Sequence, residues 1–184
     1  MALADLTTVA SVKLYAGITS DADDGLLTSM VTGISAAVRS ICNRDITTNT
    51  YDIVRSGRGT FAMQMPQYPI SAVGLIEVNG QAIPMQPAWG ALGYRFDEEQ
   101  IVLNGYCFER GYSNVHIQFT AGFPTPPTDI AETLNELITL RYRLRDKIEW
   151  SSKTLAGETV SLVQKSAPDW VKTVLSSYTR VAPL

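Results

Sequence analysis

The stretch Thr120–Ile130, "TAGFPTPPTDI", separates two opposite rhythms and so decides the fold. Before it, in "NVHIQF", Val115, Ile117 and Phe119 alternate with Asn114, His116 and Gln118, the period of a half-buried strand. After it, Ile130, Leu134, Leu137, Ile138, Leu144 and Ile148 recur at spacings of three and four, which predicts a long helix over 130–150. Gly122 stops the strand, and Pro124, Pro126 and Pro127 forbid both a continued ladder and a premature helix. Asp129 with Glu132 reads as a capping box, with Thr128 as the alternative cap. Acids Asp129, Glu132 and Glu136 crowd the first half of the helix, and Arg141, Arg143, Arg145 and Lys147 the second, following its dipole. This hand-over accounts for the composition of the loop, and no catalytic role is required of it.

Upstream, the chain opens with "LTTVASVKLYAGI", a short helix with Thr7 or Thr8 as N-cap and Gly17 at its end. In "TSDADDGLLTSMVTGISAAVRSICNR", Ser20 or Asp21 is the expected cap, and Asp21, Asp23 and Asp24 suit the positive end of a helix. Leu26, Leu27, Met30, Val31, Ile34, Val38 and Ile41 supply its apolar stripe. Past Arg44 the rhythm turns to short β-like runs, "TYDIVRS", "GTFAMQM", "VGLIEVNGQAIPM", "YRFDEEQIVL" and "SNVHIQFTAG". Roughly five to seven strands fit between residues 50 and 120 at usual strand lengths. Asn79-Gly80 is the strongest hairpin signal, because both residues tolerate positive φ. "QYPIS" (Gln67 to Ser71) reads as an edge or corner.

Downstream of the long helix, "SSKTLAGETVSLVQKS" is a polar connection with a strand-like core at Thr159–Val163. A last helix, "APDWVKTVLSSYTRV", starts with Pro168 near its first turn and packs Trp170 or Val171, Val174, Leu175 and Tyr178 on one side. "APL" reads as a loose tail. The expected class is α+β: a small helical bundle formed by N- and C-terminal helices, with an antiparallel β-subdomain inserted. The expected boundaries are residues 1–48, 49–123 and 124–184.

Composition excludes several functions. The chain of 184 residues carries a net charge of −3, which argues against general nucleic-acid binding. The charge is split: positions 1–140 hold seven basic and fourteen acidic residues, positions 141–184 eight and four. An acidic body with a basic last quarter suits binding to another copy or to an acidic partner. Cys42 and Cys107 form no CxxC pair, and His116, the lone histidine, completes no zinc site with them at a usual spacing. Buried or semi-buried thiols in a reducing compartment are expected. "MALADLTTVAS" lacks the basic and apolar regions of a signal peptide, and no uninterrupted apolar run reaches membrane-spanning length, so a soluble protein is expected.

Catalytic signals are weak. His116 lies on the polar face of a strand, with no nucleophile fixed beside it by sequence. "DADD" lacks the remaining ligands of a calcium loop, "FDEEQ" reads as a solvated tip, and "GRG" (Gly57–Gly59) is a turn with no phosphate-loop sequel. No cofactor and no metal are expected. The basic cluster "RYRLRDK" places Arg141 and Arg145 on one helical face, where they suit a phosphate or a partner's carboxylate.

The order of these elements resembles the head–tail connector (adaptor) proteins of tailed double-stranded DNA bacteriophages. Four places carry the resemblance: "LTTVASVKLYAGITSDADDGLLTSMVTGISAAVRSICNRDI", similar to that family's opening of two helices ending in "CxR"; "MPQYPISAVGLIEVNGQAI"; "IQFTAGFPTPPTDIAETLNELITLRYRLRD"; and "TLAGETVSL" before a final helix. The long β-insert, above all "MQPAWGALGYRFDEEQ" (Met85–Gln100), departs from the commoner pattern.

The resemblance implies a non-enzymatic virion part in the neck, made in the host cytoplasm. It would form a homo-oligomeric ring, typically of twelve subunits, under the portal protein. The ring would extend the channel through which genomic DNA passes without sequence-specific binding, and would dock the tail or a stopper protein; no membrane is involved. In that reading the second and third helices form the ring wall and the last helix and tail reach for the portal. Arg141, Arg145, Trp170, Tyr178, Arg180 and Leu184 are the candidate interface residues. The alternatives are another neck or tail-completion subunit, and a small hydrolase using His116.

Overall fold

The computed structural model describes residues 3–145, 152–155, 158–161 and 169–180. The chain divides into two compact units: Arg44–Thr125 with Met1–Leu3, and Ala4–Asn43 joined with Pro126–Leu184. The fold is α+β, with two antiparallel sheets in one unit and, in the other, the helices of both chain ends and a small two-stranded antiparallel pair.

In the helical unit, α1 (Val9–Ala16) starts where Thr8, in extended conformation, accepts the Ser11 N–H at 3.1 Å. The helix α2 (Asp24–Cys42) is capped by Asp23 with no side-chain bond, not by Ser20 or Asp21 as expected. Asp21 is drawn away because it pairs with Lys13, which also reaches Asp24 at 2.9 Å. The buried stripe of α2 is Leu27, Val31, Ile34, Ser35, Val38 and Cys42, while Leu26 and Ile41 face out. Among the described residues α2 alone is long and apolar enough by composition to cross a membrane; here that apolarity serves the buried stripe.

The helix α3 (Thr128–Leu144) follows Pro127, and the expected capping box does not form. Pro127, at φ −53° and ψ 139°, leads directly into the helix, so Asp129 falls inside the first turn. There its carboxylate faces the helix dipole and accepts the Ile130 N–H at 2.9 Å. Residues 146–150 of the expected helix, with Ile148, lie outside the described residues. The buried face of α3 is Ile130, Thr133, Leu134, Asn135, Ile138 and Thr139. Of its polar members, Asn135 is matched from elsewhere in the unit, Thr7 donating to its Oδ1 at 2.6 Å; on α2, buried Ser35 Oγ accepts the Leu6 N–H at 3.1 Å. The antiparallel pair β8 (Ser152–Leu155) and β9 (Glu158–Ser161) forms a sheet of its own. The last helix, α4 (Asp169–Ser176), buries Val171 and Leu175.

The β unit contains seven strands: β1 (Asn49–Arg55), β2 (Ala62–Gln64), β3 (Ile70–Val78), β4 (Gln81–Ala82), β5 (Gly93–Phe96), β6 (Gln100–Asn104) and β7 (Val115–Ala121). They make a four-stranded sheet, β1-β7-β3-β4, and a three-stranded sheet, β2-β6-β5. Their inner faces share one core that includes Ile76, Ile101, Phe108, Val115, Ile117 and Phe119. Each such side chain, fully buried, contributes about 1.5–3 kcal/mol against the entropy of folding. Asn79 and Gly80, at φ 52° and 78°, turn β3 into β4 as the sequence predicts. At the exit of β7, Gly122 has φ 111° and passes so close to Thr47 that a Cβ would lie 2.5 Å from its carbonyl oxygen. A backbone approach of this kind admits only glycine.

Candidate functional site

Two of the six candidate interface residues sit at the C-terminal end of α3. Arg141 is exposed and makes no ion pair among the described residues. Arg145 is engaged within the subunit: its guanidinium lies 3.4 Å from Asp23 Oδ2 and 4.1 Å from the centre of the Tyr142 ring. Tyr142 donates its hydroxyl to the same Asp23 carboxylate, and Arg143 reaches the Ala16 carbonyl at 3.2 Å. The "DADD" run therefore serves as an anchor: Asp21 and Asp24 hold Lys13, and Asp23 holds the last turn of α3.

Tyr178 belongs to the opposite end of α3, about 25 Å away by helical rise. Tyr178 donates its hydroxyl to both Asp129 oxygens, at 2.9 and 2.8 Å, tying the segment after α4 to the first turn of α3. The Arg180 N–H bonds the Cys42 carbonyl at 2.9 Å, satisfying an orphan acceptor at the end of α2. Trp170 is half-buried on α4. Leu184 lies outside the described residues. Among the described candidates, Arg141 and Arg145 thus stand at one end of α3, while Tyr178 is tied to its other end and Arg180 to the end of α2.

In the β unit, His116 projects from the outer face of the four-stranded sheet. Its Nε2 is 2.6 Å from Asp52 Oδ1 on β1, and its Nδ1 is 3.2 Å from Glu77 Oε2 on β3. Gln118 adds a bond to the second Asp52 oxygen at 3.0 Å. The Asp52 bond, then that to Glu77, raises the histidine pKa above its ordinary value, while His116 lowers that of Asp52. A general base needs one ring nitrogen free to take a nucleophile's proton; both nitrogens here face carboxylates. The arrangement ties three strands together.

Arg44, the arginine of "CNR", is buried in the same unit. Its guanidinium stacks 3.7 Å from the Tyr68 ring centre and 5.8 Å from that of Phe123, and donates to the Tyr68 carbonyl. Its role is structural. Among the described residues no cluster of histidine, cysteine and acids is arranged to hold a metal, and Cys42 is a buried thiol whose Sγ reaches the Leu175 carbonyl at 3.9 Å.

The surface that sequence reasoning passed over is apolar and lies on the insert. Trp89 is 87% exposed, Leu92 63%, Phe61 65% and Met85 60%. Arg95 sits 4.4 Å from the Trp89 ring centre, and the two help to line an open hollow of about 280 Å³. A tryptophan framed by proline and glycine in "QPAWGAL" is the signal that marks it, because such a loop offers no helix or strand to bury the ring.

The fold is similar to that of chains in solved gene transfer agent particles. One match is the neck of an empty gene transfer agent (GTA) particle computed with C6 symmetry, at TM-score 0.63 and 19% identity. Another is the neck of a native GTA particle computed with C12 symmetry, at TM-score 0.58 and 18% identity. A third is the virion of a native GTA particle, at TM-score 0.56 and 19% identity. Each covers 100% of this chain and 98% of the matched one. Comparison with curated proteins returned no match. One family model, described as Head completion protein, matches residues 5–181. With nearly its whole length matched, this chain belongs to the head completion protein family, and is a virion structural protein and not an enzyme.

Proposed function

We propose that the protein is a neck subunit that closes a ring of about twelve copies beneath the portal of a packaged head, on the analogy of the C12 neck. The ring prolongs the DNA channel and offers the tail or a stopper protein a docking surface. The observation that carries this reading is the end-to-end match in fold to neck chains of symmetric particles, joined to family membership over residues 5–181. Closure of a ring needs one flank of each subunit to fit the opposite flank of the next. The acidic body and basic last quarter supply complementary charge for such a contact. A net charge of −3 also suits a channel through which DNA slides without being gripped.

In this reading α2 and α3 form the wall, with exposed Arg141 toward the neighbour, and Trp170 and the residues after Arg180 reach for the portal. Electron microscopy of the protein mixed with its portal tests it. Symmetric density stacked coaxially on the portal is expected; density bound only to isolated tails points instead to a tail-completion role.

A further inference from the structure

The strand β1 stands at the rim of its sheet, hydrogen-bonded to β7 on one side only. Which of its backbone groups remain open follows from the alternation of the ladder. The Asn79 N–H bonds the Asn114 carbonyl, and the Gly122 N–H bonds the Pro69 carbonyl, so the even positions of β7 turn toward β3. The odd positions therefore serve β1, where they pair with Asn49, Tyr51 and Ile53. Thr50, Asp52 and Val54 turn their N–H and C=O groups outward. The Thr50 N–H meets only the neighbouring Asn49 side chain, at 3.0 Å. Among the described residues no backbone group pairs with this edge. It carries no proline, lysine or bulge of the kind that blunts a free edge.

Among the described residues, the β8–β9 pair is hydrogen-bonded to no third strand. It is a two-stranded sheet of four-residue strands, too small to be stable alone in water. By register, positions 152, 154, 159 and 161 share one face and are all serine or threonine. Lys153, Leu155, Glu158 and Val160 share the other, each charged residue paired across with an apolar one. On β1, Thr50, Asp52 and Val54 take the outer face beside Thr120, and Tyr51 and Ile53 pack on the core.

We propose that the open edge of β1 receives the β8–β9 hairpin of a second copy, so that neighbouring subunits share a continued antiparallel or parallel sheet. The inference rests on the ring reading above. The hairpin is the fitting occupant because hairpin and edge are different surfaces. Each copy both gives and receives, the head-to-tail contact that closes a ring, whereas β1 paired with β1 would stop at a dimer.

The test is hydrogen exchange on the full chain, free and assembled on its portal, together with the variant Val54→Pro. Proline at position 54 removes an outward N–H while sparing the bonds to β7. Expected are about tenfold or slower exchange for residues 49–55 and 152–161 together on assembly, and at least tenfold weaker ring formation by V54P at unchanged circular dichroism. Should V54P misfold, the wild-type exchange data decide alone. A ring whose 49–55 segment exchanges as in the free chain, or in which that segment is protected while 152–161 is not, overturns this inference and leaves the ring reading standing. A wild-type chain that never assembles on the portal overturns both.

Discussion

His116 is held between Asp52 and Glu77 from the two flanking strands, and only the imidazolium can donate to both at once. The pH dependence follows from the direction of the shifts. The raised pKa of His116 means that its contribution to stability is complete below the ordinary imidazole value of about 6.5 and is lost as pH rises through the higher folded value. The lowered pKa of Asp52 works from the other side: its contribution is present above the ordinary carboxylate value, about 3.9, and is lost as pH falls through the depressed one. Thermal melts of the wild type should therefore show a midpoint that declines from about pH 6 to pH 9, and His116→Gln should flatten that decline. A variant with the same slope as wild type would remove His116 as its source. Arg44 makes a parallel case for a buried charge. Lysine in its place keeps the charge but loses the planar stack on Tyr68, so Arg44→Lys should lower stability by about 1–2 kcal/mol in urea unfolding.

At the scale of elements, the joint between β7 and α3 repays a close reading. Gly122→Ala would press a methyl group against the Thr47 carbonyl at a φ of 111°, two penalties at one position. A loss of about 3 kcal/mol or more is expected, read as an earlier urea midpoint; a loss below about 1 kcal/mol would show that the joint yields easily. This joint was legible in the sequence because prolines, glycine and a change of period are backbone signals. The seven strands of the β unit overlap the runs that alternation and turn residues pick out, but β3 begins earlier, at Ile70, inside the stretch read as an edge or corner. The faces of the helices were less legible. Counting apolar residues placed Leu26, Ile41, Leu137 and Leu144 on buried stripes, yet Ile41 is 57% exposed and Leu137 and Leu144 are only half-buried. Polar Thr133, Asn135 and Thr139 take the inner face of α3. A buried hydrogen bond such as Thr7 to Asn135 joins residues far apart in sequence, and no local period announces it. Asn135→Ala strands the Thr7 hydroxyl, 7% exposed, and should cost about 1–3 kcal/mol in the same assay.

For the whole molecule, the question is which charged residues hold the subunit together and which meet a neighbour. Arg141 and Arg145 share one helical face and would be taken for a single clamp, but their surroundings part them. Arg145 is paired with Asp23 and stacked on Tyr142, so Arg145→Ala should lower the melting point, by an amount equivalent to about 0.5–1 kcal/mol at this half-exposed site. Arg141 has no such commitment among the described residues, so Arg141→Ala should leave the melting point unchanged and weaken ring assembly about tenfold, the 1.4 kcal/mol of a modest interface charge. If the acidic body and basic last quarter attract across each subunit boundary, wild-type assembly must also weaken with salt, because the screening length shrinks from about 10 Å at 0.1 M to about 3 Å at 1 M. Sedimentation of the portal mixture across that range measures it, and R141A should show the shallower salt dependence. An equal salt response in both proteins would place the complementary charge elsewhere on the flank, and a ring indifferent to salt would leave apolar contacts and shared strands as its only bonds.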